Sequence, residues 1–570
     1  MTGELMVGRI AALVGVLGVL ALPAPALAQG PLGPLNDLLA LGEGAGQAPD
    51  DVPIQTAKTP NFDATPAPAS CAPGAKPQPS VDGRVPAGSA TDGLWCNLTM
   101  VAHQGTSGGF KALRYIDPAG HECAYYDTAL LFPANAYNLN SQGVGVVTLD
   151  MADPAKPVQT ATLTSPAMLS PHESLSLNAK RGLLAAVSGN PDTYPGWVSI
   201  YDLSKDCRAP ELDFSGPLAR LGHESGFTND GKTFYATSVN NNEITAIDTT
   251  DPKAPHVVWL GKLDSHGMTL SPDGNRAYIA DTSDGLLILD TSQIQARKPN
   301  PQAKEISRLT WKRMSIPQNA IPFTEHGHPY VLEFDEYTAG TTGGGSGDDV
   351  GAARIIDIAD ERAPKIVSNL RLQVNQPDDH KKYGSDPGAD GFANGFVQGY
   401  AAHYCNLNSR VNPTLVACSF IVSGLRLFDI TNVEAPKEVG YFVAPTKAKV
   451  ENGQSASDFA MSMPKFVGSR HEIWWTDGTS GFYVLRVADS VWPKAVKPAA
   501  ARCAATVTLP RRAKVRSVRA TIGGKAVKVV KRVRSGRKLH VTVAAAPSGG
   551  VLKVSVTLAG GGTWTASHAC

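Results

Sequence analysis

A short apolar strand that ends in aspartate and runs into a polar turn recurs along this chain. Its copies are Val146–Asp150, Val198–Asp202, Ile244–Asp248, Leu286–Asp290, Arg354–Asp357, Leu425–Asp429 and Phe482–Leu485, the last followed by Arg486 instead of aspartate. Most copies continue into Ala-Pro or Lys-Pro, and hairpin signals such as Asp230-Gly231 and Asp273-Gly274 precede them. Units of about 40 to 50 residues with four short antiparallel strands are typical of β-propeller blades. The repeat therefore predicts an all-β fold with a seven-bladed β-propeller.

The unit of an apolar strand, aspartate and a following Ala-Pro resembles the LVIVD repeat of exported bacterial and archaeal proteins. The resemblance covers roughly residues 94–490 and implies a propeller. Insertions at about 337–350 and 373–402, together with Arg486, depart from the pattern. Propellers host many functions, so the resemblance implies the fold and leaves the activity to the residues of the site. We interpret the aspartate that ends each strand as a turn-capping residue rather than a catalytic carboxylate.

Histidines recur 24 to 31 residues before these strand-end aspartates. They are His172, His223, His266, His326, His328 and His403, with His103 as a weaker member at a longer spacing. This position falls at the start of the innermost strand of each blade. Since innermost strands line the central channel, we expect the imidazoles to converge at one mouth of the channel.

Converging neutral imidazoles favour a transition metal such as copper, zinc or iron. Glu173 and Glu224 directly follow two of the histidines, and we expect them to orient the rings from outside the coordination sphere. The general plan is similar to that of selenium-binding proteins of the methanethiol oxidase type, which are propellers with a histidine-bound metal. Two other interpretations stay open. The histidines could cap strands as part of the repeat, or they could form a metal-free ligand or acid–base site.

Two functions follow from this site. The first is an exported binding or scaffold propeller at the cell envelope that holds a protein, glycan or small molecule at its face and carries a metal at the channel mouth. The alternative is a metal-dependent oxidoreductase or hydrolase that uses the channel histidines. No catalytic residue is assigned from the sequence.

The two ends of the chain differ from the repeats. Residues 1–28 have the charged, apolar and Ala-x-Ala segments of a secretory signal peptide, which predicts export and no membrane span after its removal. Residues 29–93 are rich in Pro, Ala and Gly, and we expect a disordered lead-in. The predicted domains are then the propeller at 94–490, a linker at 491–501 and a C-terminal module at 502–570.

Eight cysteines in an exported chain predict disulfides. Cys405 and Cys418 could close one hairpin, and Cys503 and Cys570 bracket the C-terminal module. The connectivity of Cys71, Cys96, Cys123 and Cys207 stays open at this point.

The C-terminal module is basic. Residues 501–570 contain 14 lysines and arginines and no aspartate or glutamate. Alternating strings such as 515–522 predict strands and an Ig-like or other β-sandwich. The charge predicts contact with an anionic envelope polymer; the alternative is a solvated surface that balances an acidic partner domain. Export and few aromatic residues disfavour nucleic acid as the partner.

Overall fold

A computed structural model describes residues 52–57, 64–86, 88–128, 144–189, 195–239, 243–339, 349–376, 378–379, 382, 399–446, 459–493, 502–544 and 551–569. The predicted signal peptide lies outside these residues. The described chain is nearly all β. Its short helical segments are Pro166–Leu169, Ser292–Gln295, and the 3-10 turns Gln373–Asn375 and Gly468–Arg470. No helix among the described residues is long and apolar enough to cross a membrane.

Seven antiparallel sheets follow one another along residues 98–487 of the described chain, and the first three are built from consecutive strands. Sheet 1 contains Ala112–Ile116, Glu122–Asp127, Val146–Asp150 and Val158–Leu163. Sheet 2 contains Ser176–Asn178, Leu183–Val187, Gly196–Asp202 and Glu211–Ala219. Sheet 3 contains Ser225–Phe227, Thr233–Ser238, Glu243–Asp248 and His256–Lys262.

The other four sheets have additions at their edges or in their connections. Sheet 4 contains Met268–Leu270, Arg276–Asp281, Gly285–Asp290 and Lys304–Thr310, with Ile54–Thr56 added in parallel at its outer edge. Sheet 5 contains Ile316–Glu325, His328–Glu336, Ala353–Asp357 and Lys365–Leu370, and a two-stranded pair, Thr338–Ala339 with Asp349–Val350, lies in one connection. Sheet 6 contains Ala402–Leu407, Leu415–Phe420, Gly424–Asp429 and Lys437–Val443, with Leu94–Cys96 at its outer edge. Sheet 7 contains Lys465–Val467, Glu472–Asp477, Gly481–Val487 and Leu98–Gln104.

The sheets form a ring, which makes the fold a β-propeller. The first strands of sheets 2, 3, 4 and 5 pack against one another in turn, sheet 5 packs on sheet 6, and sheet 7 contacts the first strand of sheet 1. The ring is closed by Leu98–Gln104, which comes from the start of the ring and pairs with Gly481–Val487 near its end. Closure by chain segments from the two ends leaves few unpaired sheet edges.

The repeated apolar strands are the third strands of the seven sheets, as the sequence predicts. Their terminal aspartates cap the following turns, which confirms the predicted capping role. The Oδ1 atoms of Asp150, Asp202, Asp248, Asp290, Asp357 and Asp429 each accept a hydrogen bond from the backbone N–H two residues later. Gly231 and Gly274 have positive φ angles of 67° and 73° in the predicted hairpin turns, which glycine adopts without steric cost.

The prediction of a disordered lead-in is wrong for the described part of residues 52–93. Ile54–Thr56 joins sheet 4, Val85 and Ala90 are fully buried in the core beside sheet 6, and the Gly83 carbonyl accepts a hydrogen bond from the Ser423 hydroxyl. Such a Pro-rich segment has no strand periodicity, because it packs along sheets as single extended stretches.

Three disulfides are present among the described cysteines: Cys71–Cys96, Cys123–Cys207 and Cys405–Cys418. The third links directly opposed residues of a hairpin, which confirms the predicted pair. The predicted bond of Cys503 with Cys570 is not described, because Cys570 lies outside the described residues.

The chain divides into two compact units, Met1–Trp492 and Pro493–Cys570, and the division falls within the segment predicted as a linker. The second unit has two sheets around a common apolar core. The three-stranded sheet contains Arg502–Thr508, Lys538–Ala544 and Val529–Ser535. The four-stranded sheet contains Lys525–Ala526, Val515–Ile522, Val551–Leu558 and Thr563–Ala569.

Candidate metal centre

Four histidines from four different sheets meet at the hub of the ring: His172, His223, His266 and His403. The rings of His172 and His223 lie 4.5 Å apart, and those of His223 and His266 lie 4.9 Å apart, centre to centre. All four side chains are buried, with at most 8 % of each residue exposed. The repeat places them there, because His223 and His266 each lie two residues before an innermost strand and His403 is the second residue of one.

Backbone hydrogen bonds fix the residues that lead into the innermost strands and carry these histidines. The His223 N–H donates to the Thr237 carbonyl (2.8 Å), and the equivalent bond runs from the His266 N–H to the Ala280 carbonyl (2.9 Å). His172 has a positive φ of 50°, an uncommon conformation for a residue with a side chain. Strained backbone of this kind is concentrated at functional sites.

Glu173 lies at the centre of the cluster. Its Oε2 atom is 3.3 Å from Nε2 of both His223 and His266, and its Oε1 atom is 3.3 Å from Nε2 of His403. The Gln318 amide also donates to Oε2. The sequence predicts Glu173 outside the coordination sphere; in the structure its carboxylate faces the imidazole nitrogens directly, at the distance of a possible ligand.

Glu336 is a second carboxylate in the cluster, and the sequence analysis missed it. Its oxygens lie 2.7 Å from His403 Nε2 and 3.5 Å from His266 Nε2. Glu336 ends the second strand of sheet 5, and Asp127, Asp281 and Asp477 end the second strands of other sheets. This recurring acidic residue at the strand end is the signal that could have found it.

Glu224 lies beside the cluster in a network of its own. Its Oε1 atom accepts hydrogen bonds from the Lys111 ammonium (2.9 Å) and the Asn319 amide (2.7 Å). Gly267 makes room for this carboxylate, since a Cβ there would overlap Glu224 Oε2. Glu224 thus lies beside the cluster, and these hydrogen bonds go to Lys111 and Asn319.

The remaining predicted histidines are not part of the cluster. His326 and His328 flank the tip of the long hairpin of sheet 5, with side chains 75 % and 43 % exposed, and His328 pairs with Asp357. Gln318 enters the hub from this sheet instead. His103 lies in the outermost strand of sheet 7, where its Nε2 is 2.6 Å from the Ser480 carbonyl. Phe110 takes the corresponding place in sheet 1, with its ring 4.4 Å from that of His172.

The buried histidines and carboxylates of the cluster shift one another's pKa values. Burial alone would lower the pKa of His266 and of His403, but Glu173 and Glu336 outweigh it and raise both pKa values to about 9. Burial and the neighbouring His223 hold the pKa of His172 well below its ordinary value. Burial would raise the pKa of Glu173, but the surrounding histidines hold it well below its ordinary value. Burial raises the pKa of Glu224.

Two overlapping groups of donor atoms could hold a metal ion at the hub. They are His172, Glu173 and His223, and Glu173, Glu336 and His403; within each group the donor atoms lie within 4.8 Å of one another. A third group, Asp117, His121 and Asp206, lies near the Cys123–Cys207 disulfide, where Asp117 also accepts the Cys207 N–H and Asp206 pairs with Arg208.

Comparisons with known proteins assign no family. No family model and no curated protein matches the chain. Solved structures with similarity include the periplasmic gluconolactonase PpgL of Pseudomonas aeruginosa (13 % identity, 72 % of this chain and 96 % of that chain, TM-score 0.44). A candidate 6-phosphogluconolactonase of Bacteroides uniformis matches at 11 % identity over 62 % of this chain and 88 % of that chain, TM-score 0.42. Hydrazine synthase of Kuenenia stuttgartiensis matches at 13 % identity over 67 % and 96 %, TM-score 0.40. At these scores no activity is transferred to this chain.

Proposed function

We propose that the hub cluster binds one divalent transition metal, held by the four histidines together with Glu173 and Glu336. The observation that carries this proposal is the orientation of His266 and His403. Their Nδ1 atoms lie 2.9 and 3.0 Å from the Pro317 and Met461 carbonyls, which can only accept, so each Nδ1 carries a proton. Each Nε2 is thereby directed at the carboxylates, and this is the usual arrangement of metal-binding histidines.

The balance of charge supports a divalent ion. Glu173, Glu224 and Glu336 are three buried carboxylates, and among the described residues the buried Lys111 ammonium pairs with one of them, Glu224. Buried charges must be compensated. The three carboxylates and the one ammonium leave two negative charges. Two imidazolium protons on His266 and His403 would balance them, and a divalent cation that displaces both protons would balance them equally.

The spacing of the donors also fits a metal. Donors at 2.0 to 2.2 Å from an ion lie about 3.3 to 3.6 Å from one another in tetrahedral coordination, and about 2.8 to 3.1 Å in octahedral coordination. Three contacts of Glu173 with imidazole nitrogens are 3.3 Å long. Imidazole and carboxylate donors suit zinc, iron or copper, and the six cysteines of the first unit are bonded in disulfides and so offer no thiolate.

The number of donors favours metal binding over catalysis. Catalytic zinc sites usually keep three protein ligands and an open position for water, whereas six buried side chains surround this hub. We therefore propose a metal-binding propeller that acts as a binding or scaffold protein, with the metal-dependent oxidoreductase or hydrolase as the alternative. An enzyme would require one of these donors to leave the ion.

The proposal extends to the architecture and location of the protein. We infer a seven-bladed propeller of the LVIVD type, in which each of the seven sheets is one blade. A small β-sandwich follows it along the chain. We infer export to the cell envelope, supported by the three disulfides, which persist in oxidising compartments. A protein, glycan or small molecule at the propeller face remains the proposed partner.

The test is a calorimetric titration of chelator-treated, untagged protein with Zn²⁺ at pH 7.5 in buffers of different ionisation enthalpy. We expect one ion per chain and release of about two protons, because His266 and His403 must lose theirs. The decisive variant is His266→Asn/His403→Asn, since Asn keeps a donor near the position of Nδ1 and removes Nε2. The matched control is His326→Asn/His328→Asn. A wild type that takes up no metal, or equal uptake by the decisive variant, would overturn the proposal.

A further inference from the structure

The C-terminal unit gathers six cations at one end, far apart in sequence. They are Arg511, Arg512, Lys514, Arg534, Arg537 and Lys538, and we call them the basic end. The Leu509 N–H donates to the Arg537 carbonyl (2.7 Å), and Arg537 Nε donates back to the Leu509 carbonyl (3.1 Å). Arg534 donates to the Ala513 carbonyl. These bonds hold the 510–514 loop against the hairpin at 534–538.

None of these cations is neutralised within the unit. All six side chains are exposed, and residues 501–570 contain no aspartate or glutamate. Like charges that are held together without counter-charges raise the local concentration of polyanions.

The composition of the basic end indicates the kind of anion. Four of the six cations are arginines, whose planar guanidinium matches the oxygens of a phosphate in a bidentate manner. Trp564 is the one Phe, Tyr or Trp residue in 501–570. Binding of single-stranded nucleic acid depends on aromatic stacking platforms, which this unit lacks.

We propose that the basic end binds a flexible phosphodiester polymer of the cell envelope through its phosphate groups. This inference does not depend on the metal at the hub. The edge strand Val529–Ser535 extends the surface, because its residues 530–535 are all exposed and include Lys531 and Arg532. A chain of phosphates could therefore follow the strand away from the basic end.

The test uses the full chain and poly(glycerol phosphate) of defined length, with affinity measured by calorimetry at 50 and 200 mM salt. The first variant, Arg511→Gln/Lys514→Gln/Lys538→Gln, leaves the backbone hydrogen bonds of Arg534 and Arg537 in place. The control, Lys525→Gln/Lys528→Gln/Lys553→Gln, removes the same charge at the opposite end of the strands, roughly 20 Å away by strand rise.

We expect binding that weakens with salt, a loss of tenfold or more in the first variant and less than threefold in the control. Equal losses in both variants would overturn the assignment to the basic end, as only total charge would then matter. Absence of binding to the polymer would overturn the proposal itself. Tighter binding to duplex DNA or to phosphatidylglycerol vesicles than to the polymer would also contradict it.

Discussion

The two imidazoliums at the hub should make the metal-free protein less stable as the pH rises. His266 and His403 have pKa values of about 9 in the folded protein and about 6.5 when unfolded. Because the folded values are raised, the stabilisation is fully present below pH 6.5 and is lost as the pH rises through 9. The difference corresponds to roughly 3 kcal/mol for each buried histidine.

This loss of stabilisation free energy can be converted into a change of the melting temperature, Tm. The unit of 492 residues should have an unfolding entropy of about 1 kcal/mol/K. Loss of both contributions, about 6 kcal/mol, should therefore lower Tm by about 6 °C between pH 6.5 and 9.5. Scanning calorimetry of chelator-treated protein measures this change, and zinc-loaded protein should show no such fall, because the ion replaces the protons.

The control for this experiment is His266→Asn/His403→Asn, whose Tm should lack this component of the pH dependence. Other titrating groups contribute equally to both proteins, so the difference between their profiles isolates the two histidines. Metal-free wild type and double variant with parallel profiles from pH 6.5 to 9.5 would refute the reasoning.

Three further predictions follow from the hub. Gly267→Ala should lower the free energy of unfolding by about 3 kcal/mol, because its Cβ would overlap Glu224 Oε2; an unchanged thermal transition would contradict the packing described. Glu336→Gln should weaken zinc binding by about 100-fold or more in competition with a chromophoric chelator, and an unchanged affinity would remove Glu336 from the ligand set. His326→Asn/His328→Asn should leave the metal content of the isolated protein unchanged, since both side chains are exposed on a hairpin tip; lost metal would restore them as ligands.

The sequence predicts the third strand of every sheet and the capping role of its aspartate, because both are set by local rules that repeat with each unit. It also identifies four of the hub histidines, because residues at the same position of successive repeats lie at the same distance from the axis of the ring. Prediction fails where the ring departs from the order of the chain. Leu98–Gln104 completes sheet 7 rather than sheet 1, so the position of His103 is misread.

Sheet 5 shows the second source of failure. Its first hairpin is longer than the others, and its tip at His326 and His328 lies about 25 Å along the strand from Gln318 at the hub. The spacing of 24 to 31 residues before the strand-end aspartate, here Asp357, therefore selects His326 and His328 instead of Gln318. Glu336 carries a local signal, the acidic residue that recurs at the ends of second strands, but only the closed ring brings it and Lys111 beside the histidines.

The most direct test of the central claim is the metal content of the full, untagged protein, purified without a chelating column and measured by mass spectrometry beside His266→Asn/His403→Asn. We predict close to one zinc, iron or copper ion per chain in the wild type and a loss of that ion in the double variant. A folded wild type that contains no metal and takes up none on dialysis against these ions would contradict the account.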